Sequence, residues 1–479
     1  MQVSQQLISR EEERERLLSA LNSDKPELIA LVGRRRVGKT FLVRKVYAEH
    51  IKIEITGLQH DSQKAQIRNF VLSMKAYGLY TETEEETNNW LDAFFLLTQA
   101  LEQQNLQEKY VVFLDELPWM AGKRSDFISG FSYFWNSWAS KQHIVVVICG
   151  SATSWMIEKV ISDKGGLHNR ITDILKLYPF NLKQVEEFLH SRNIKYPRYQ
   201  VILLYMAFGG IPMYLNFVRR DLSAVQNINQ LCFKEAGFLY DEFDRLFPAL
   251  FDRWERHESI VKALAYKSRG LTRAEILQTT GLPNGGSFSR TLKELQQSGF
   301  IRLFSGMKKT KKDALYRLTD AYSLFYLHQI APNKDNQTLD FEQLFSTPSF
   351  KTWSGYAFEN ICFSHLRQIK SILGISGVLT KTYSHISKPT EDLAGTQIDL
   401  LIDRNDHSIH ICEIKFSKDL FVLDKNTTEN IRQKKTLFKY HSKTKKYLFI
   451  TFITTFGLVE NKWSKEIVDQ SLVMDDLFV

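Results

Sequence analysis

The chain has 479 residues, enough for two to four domains, and its 43% hydrophobic and 24% charged content excludes a disordered or fibrous chain. The net charge of +9 suits a phosphate-rich partner without naming one, and no apolar run is long enough to span a bilayer. The four cysteines, Cys149, Cys232, Cys362 and Cys412, lie far apart, which excludes a disulfide scaffold or C-x-x-C zinc spacing. They read as reduced thiols of a cytoplasmic protein, and the N-terminus Met-Gln-Val-Ser-Gln-Gln lacks a signal-peptide pattern.

Ser9-Arg-Glu-Glu-Glu13 opens a helix to about Leu21, with Ser9 and Glu12 spaced as a capping box. The apolar run Leu28–Val32 then reads as a buried parallel strand that breaks at Gly33, and a helical pattern begins near Lys39. Between them stands G-x-x-x-x-G-K-[ST], written here as Gly33, Arg34, Arg35, Arg36, Val37, Gly38, Lys39 and Thr40. Backbone N–H groups of such a loop wrap phosphates, which glycine lets approach, and the next helix adds its positive end. Lys39 is placed to reach the β- and γ-phosphates and Thr40 to give its hydroxyl to Mg²⁺. The stretch Gly33–Phe41 is thus the candidate ATP site.

Ile51–Ile55 alternates like a strand and Trp90–Leu101 like a helix. In Tyr110-Val-Val-Phe-Leu-Asp-Glu-Leu117 an apolar strand runs into two carboxylates. This is the Walker B pattern, with Asp115 for the Mg²⁺ shell and Glu116 as the base orienting the attacking water. The plain alternative is a strand end with solvated acids. His143–Gly150 is the next strand, and a polar residue after it suits a γ-phosphate sensor in ATPases with an inserted central strand. Ser151 is the candidate and Thr153 the second, a helix N-cap being the other reading. Arg170, before the short strand Ile174–Phe180, reads either as a γ-phosphate contact, in cis or across a subunit boundary, or as a surface arginine.

Arg10-Glu-Glu, the triple arginine inside the phosphate loop, Leu114-Asp-Glu116, Gly150-Ser, Arg170 and Pro179-Phe together resemble the predicted ATPases widespread in archaea and anaerobic bacteria. These lie on the AAA+/STAND side of the P-loop NTPases. Phe208-Gly-Gly-Ile-Pro-Met-Tyr-Leu215 resembles the G-x-P element of STAND lids, which implies that Pro212 packs near the adenine; a helix N1 proline is the local alternative. His168-Asn-Arg170 departs from the short Gly-Arg pair of many relatives.

Asn181–Leu250 is helical, as a lid would be. Glu258–Leu303 reads as a winged helix, with Thr272 and Glu275 as a capping box and Phe300–Phe304 and Leu315–Leu318 as wing strands. Lys308, Lys309, Lys311 and Lys312 at the wing tip suit a DNA backbone, while Arg290 and Lys293 alone charge the recognition-helix position, as in an internal joint. Polar, turn-rich residues follow from Ala331. The helix Gly355–Leu366 carries Glu359, the strand Gln397–Asp403 carries Asp399, and the return strand Ile409–Phe416 carries Glu413 and Lys415 on one face. Glu…Asp…Glu-x-Lys resembles the PD-(D/E)XK nuclease fold. That resemblance implies Asp399 and Glu413 as Mg²⁺ ligands, Lys415 beside the attacking water and Glu359 in the outer shell. The basic run Arg432, Lys434, Lys435, Lys439, Lys443, Lys445, Lys446 either tracks a phosphate backbone or is a solvated face.

The sequence thus predicts an α/β protein: a P-loop NTPase core with a parallel sheet (1–180), a helical lid (181–250), a winged helix (251–330), a linker (331–350) and an α/β restriction-endonuclease-like domain (351–479). The expected function is an ATP·Mg²⁺-driven switch coupled to a metal-dependent nuclease-like effector on DNA. The alternative is a non-catalytic DNA-binding or protein-interaction regulator with a degenerate nuclease fold. No membrane partner is expected, and a homo-oligomer is admissible.

Overall fold

A computed structural model describes residues 7–79, 87–104, 108–122, 125–162, 165–167, 169–304, 314–334, 336, 339–387 and 395–479. Its contacts divide the chain into two compact units, Met1–Tyr178 and Pro179–Val479.

The first unit is built on a parallel sheet of β1 (Glu27–Val32), β2 (Ile51–Thr56), β3 (Tyr110–Asp115), β4 (Ile144–Gly150) and β5 (Asp173–Lys176), in the order β2-β3-β4-β1-β5. β4 therefore lies between β1 and β3, so the phosphate loop and the two acids Asp115 and Glu116 at the end of β3 emerge at the same edge with one strand between them. β3 and β4 are buried along their whole length, which explains their unbroken apolar runs: helices cover both faces of a parallel sheet. Helices Gln63–Ala76, Trp90–Glu102 and Phe127–Ser137 pack through an aromatic group in which Trp90 meets Phe127 edge-on at 4.7 Å and Phe70 at 5.5 Å.

The first helix begins at Glu11 rather than through the expected cap: its N-cap is Arg10 (φ 113°), with no side-chain cap bond. Ser9, itself left-handed at φ 48°, stands one residue before that N-cap and so outside the capping position. Arg10 is buried instead, with Nη2 donating to the Tyr178 carbonyl at 2.7 Å and Nη1 paired with Glu13 at 3.2 Å.

The second unit opens with helices Leu182–Ser191, Arg198–Phe208, Pro212–Leu215, Ala224–Cys232 and Glu242–Leu246. Helices Trp254–Ala265, Arg273–Thr280 and Gly286–Gln297 follow, with a small antiparallel sheet of β6 (Leu271–Thr272), β7 (Ile301–Phe304) and β8 (Leu315–Leu318) in the order β6-β8-β7. The Thr272–Glu275 capping box is present. Lys308, Lys309, Lys311 and Lys312 lie outside the described residues. Between 331 and 350, Phe341–Ser346 forms a 3-10 helix whose Phe341 is fully buried against Phe233, Phe325 and Trp353. This anchored apolar cluster makes the stretch part of the unit's core.

The remainder is a mixed sheet of β9 (Thr380–Ser387), β10 (Thr396–Arg404), β11 (Ser408–Lys415), β12 (Tyr447–Thr454) and β13 (Gln470–Val473), in the order β13-β12-β11-β10-β9. β9 pairs with β10 and β10 with β11 antiparallel, whereas β12 joins β11 and β13 joins β12 in parallel. Helix Lys425–Ser442 makes the crossover that a parallel β11–β12 pair requires. Helix Pro348–Ser364 packs against β11.

Candidate nucleotide site and a second carboxylate site

The phosphate loop leaves β1 at Gly33, where a Cβ would lie 2.4 Å from the Leu177 carbonyl oxygen; only glycine fits that approach. Arg36 and Gly38 are left-handed (φ 72° and 92°), which turns the chain into helix Lys39–Val46. Arg34 and Val37 are buried, Arg35 and Arg36 half-buried. The buried Lys39 ammonium donates to the carbonyls of Gly33 (2.9 Å) and Arg34 (3.1 Å), so its charge is held over the loop's own oxygens. Phe41 is half-buried in the same helix, 5.7 Å from the Lys45 ammonium.

Thr40 Oγ1 donates to Asp115 Oδ2 at 2.7 Å, joining the loop to the end of β3. Oδ1 of Asp115 accepts from the Cys149 thiol at 3.0 Å and from the Glu116 N–H at 2.9 Å. Burial, and then the Asp115 charge, push the Cys149 thiol well above its ordinary range, so it stays a donor. Glu116 is left-handed (φ 49°), an uncommon backbone that aims its carboxylate sideways at β4. There Oε2 accepts from both the N–H (3.0 Å) and the Oγ (2.9 Å) of Ser151. Ser151 thus grips the second acid and is not the cap of helix Thr153–Met156, whose N-cap is Ala152. Thr153 is fully buried in that helix. The structure brings together Gly33–Thr40, Asp115, Glu116 and Ser151. Arg170 stands exposed in the turn before β5, its N–H donating to the Leu167 carbonyl at 3.1 Å.

The donor set fits a magnesium nucleotide: a left-handed glycine loop, one buried ammonium, and a hydroxyl already bonded to a carboxylate. Pro212, in the other unit, opens its short helix after left-handed Gly209 and Gly210 (φ 70° and 69°). A Cβ on Gly210 would meet the Phe180 carbonyl oxygen at 2.1 Å.

In the second unit, Leu400 pairs with Cys412, which brings Asp399 level with Glu413 across the β10–β11 hairpin. The β9–β10 register breaks between Ile398 and Leu401, a bulge at Asp399 of the kind that re-aims a side chain. Burial first, then the charges of Glu359 and Glu413, lift the Asp399 carboxyl to about 7. Glu413 is buried, with Oε1 accepting from Lys434 at 2.7 Å and Oε2 3.3 Å from Lys415. Burial works against the Lys415 charge, but Glu413 and Asp399 outweigh it and raise its pKa. Glu359 accepts at Oε2 from Nη2 of Arg317, 2.7 Å away. The site therefore gathers Glu359, Asp399, Glu413 and Lys415, and adds Arg317 of β8 and Lys434 of helix Lys425–Ser442. Neither addition was singled out in the sequence. Arg317 reads as a wing residue, and Lys434 is one lysine of a basic run, its inward face visible only from the helical phase. Two hard oxygen donors suit Mg²⁺, which takes one or two carboxylates and keeps waters. Among the described residues no group of three or more His, Cys, Asp or Glu side chains is arranged to hold a metal ion.

A parallel sheet with a strand inserted between the phosphate-loop strand and the Walker B strand, together with this loop, defines the chain as a P-loop ATPase. Residues 7–218 match the family described as an ATPase domain predominantly from Archaea. The chain is similar to an uncharacterized protein of Methanocaldococcus jannaschii, 25% identical over 86% of this chain and 88% of that one. Among solved structures it is similar to the Walker-type ATPase of Pyrococcus abyssi, at 18% identity and TM-score 0.49, covering 67% of this chain and 96% of that one. It is also similar to the Aeropyrum pernix ORC2 protein, at 17% identity and TM-score 0.43, covering 69% and 94%. No helix among the described residues is long and apolar enough to cross a membrane.

Proposed function

We propose that this ATPase is a switch coupled to a metal-dependent nuclease-like effector that acts on DNA. The helices of 181–250 read as a lid, 251–330 as a winged helix, and 351–479 as a restriction-endonuclease-like domain. The observation that carries the effector reading is the meeting of Asp399, Glu413 and Lys415 on one hairpin, with Glu359 beside them.

At the nucleotide site, bound Mg²⁺ would neutralise phosphate charge from the side of Thr40 and Asp115. Lys39 exchanges the Gly33 and Arg34 carbonyls for phosphate oxygens. Glu116 orients and deprotonates the attacking water, and Ser151 fixes where that carboxylate points. Ser151 also stands where it can sense the terminal phosphate, with Arg170 as a further cation. At the second site a divalent ion would activate water. Asp399 and Glu413 are the residues that would hold it, and Lys415 steadies the attacking oxygen. Mn²⁺ titration of the nucleotide-free chain tests this. Asp399→Ala should lose one bound ion per chain, and equal binding by both proteins would contradict the assignment.

One observation favours a second reading, a non-catalytic regulator. Arg317 occupies Glu359, and lysines occupy both oxygens of Glu413. In that reading the cations neutralise the carboxylates permanently and the domain only binds.

A further inference from the structure

The run from Arg432 to Lys446 does not act as one basic face. Arg432 is paired with Glu429 and Glu466, Lys434 turns inward to Glu413, and Lys446 donates to Asp403 and the Arg404 carbonyl, each at 2.6 Å. Four lysines are left: among the described residues Lys435, Lys439, Lys443 and Lys445 have no carboxylate partner. Three of them, Lys435, Lys439 and Lys445, line one open hollow of about 710 Å³ with Tyr440 and Tyr447. Both rings are largely exposed, at 66% and 59%. Tyr447 meets Phe449 edge-on at 4.7 Å and Tyr440 meets His441 edge-on at 5.7 Å, and both rings still keep most of their surface open. Unpaired ammonium groups beside exposed tyrosine rings suit a chain whose phosphates take the charge and whose bases stack. A duplex keeps its bases stacked internally and would leave the two rings unused. One helix links the hollow to the carboxylate site, Lys439 lining the first and Lys434 meeting Glu413 in the second, while Tyr447 lies five residues along β12 from the residue paired with Glu413. Lys434 and Lys439 are five residues apart, about 7 Å of helix rise, roughly the length of one or two nucleotides.

Resting on the reading of this domain as a nucleic-acid effector, we infer that the hollow is a docking site for single-stranded nucleic acid leading toward Asp399 and Glu413. Lys435, Lys439 and Lys445 contact phosphates; Tyr440 and Tyr447 stack on bases.

The test uses the full chain, a fluorescently labelled oligothymidylate, and anisotropy in EDTA at rising salt, so that binding is read without cleavage. Tyr440→Ala with Tyr447→Ala should weaken single-strand binding by about tenfold per ring and leave binding to a labelled duplex unchanged. Lys435→Gln with Lys439→Gln and Lys445→Gln should lower the salt slope by roughly 2. ATP turnover by both variants should match the wild type, showing that they are folded. The inference is overturned if wild type binds no oligothymidylate, if both variants bind as wild type does, or if the tyrosine variant loses duplex and single strand equally. A wild type that binds through this hollow but never cuts would sink the cleavage reading alone. One that cuts while the variants bind normally would sink this inference alone.

Discussion

Arg317 on β8 and Glu359 on helix Pro348–Ser364 form a buried ion pair, Nη2 to Oε2 at 2.7 Å, with the guanidinium also against the rings of Phe304, Tyr356 and Phe363. The pair ties the small three-stranded sheet to the carboxylate site. Removing one partner of such a pair strands a buried charge, which costs about 3–5 kcal/mol. Arg317→Met should therefore destabilise the second unit by that order in urea unfolding, and Glu359→Gln, which keeps a hydrogen-bond acceptor, by less. Equal stability of Arg317→Met and wild type would show that the pair is energetically idle.

Lys39→Ala removes the one ammonium buried in the phosphate loop. Nucleotide affinity, read by calorimetry, should fall at least about tenfold, and turnover should be lost. Unchanged affinity would refute the loop assignment.

Glu116→Gln should keep ATP binding and slow hydrolysis by roughly 10²–10⁴-fold, the usual weight of a general base. Ser151→Ala deletes one of the two hydrogen bonds on that carboxylate and leaves the backbone one. Its turnover should fall by less, with ATP affinity nearly unchanged. Steady-state kinetics with a binding titration separates these outcomes. Normal turnover in Glu116→Gln would make another group the base.

His365 gives a pH signature. It is buried, with Nδ1 donating to the Ile361 carbonyl (2.8 Å) and Nε2 accepting the Leu182 N–H (3.0 Å), so both bonds need the neutral ring. Burial lowers its pKa from 6.5 to about 4. The unfolded chain then binds the proton first. The histidine's contribution is complete above about pH 6.5 and is lost as pH falls toward 4, by about 3 kcal/mol in all. Urea unfolding should show stability falling over that window, and His365→Gln should show a shallower slope. His410, also lowered to about 4 by burial and Arg404, adds a second contribution of the same sign.

Elements whose signal is local were legible in the sequence. The apolar runs of β1, β3 and β4, the loop between Gly33 and Thr40, and the Asp399–Glu413 hairpin follow from burial on both strand faces and from residue spacing. Partnerships made at a distance were not. That Ser151 would hold Glu116 depends on β4 lying beside β3, and that Arg317 would meet Glu359 depends on how β8 packs on a helix forty residues later. Lys434 and Lys435 are neighbours in sequence and both half-buried, yet one is paired with an acid and the other lines the hollow. Only the helical phase separates them. The expected cap at Ser9 failed because two left-handed residues precede the helix, a backbone feature with no composition signature for non-glycine residues. The stretch after Ala331 reads as a linker because turn residues surround it, while Phe341 and Leu344 anchor it in the core and Phe345 packs on Phe341.

A cleavage assay on single- and double-stranded DNA with Mg²⁺ or Mn²⁺, with and without ATP, comparing wild type, Asp399→Ala and Lys415→Ala, decides whether the carboxylate site is a nuclease. Wild type should cut only with the metal and at a rate that depends on ATP. Both variants should be inactive while hydrolysing ATP normally, and Lys415→Ala should still bind the metal, since lysine is not a ligand. A wild type that hydrolyses ATP and binds DNA but cuts under none of these conditions would overturn the nuclease assignment and leave a non-catalytic regulator in its place.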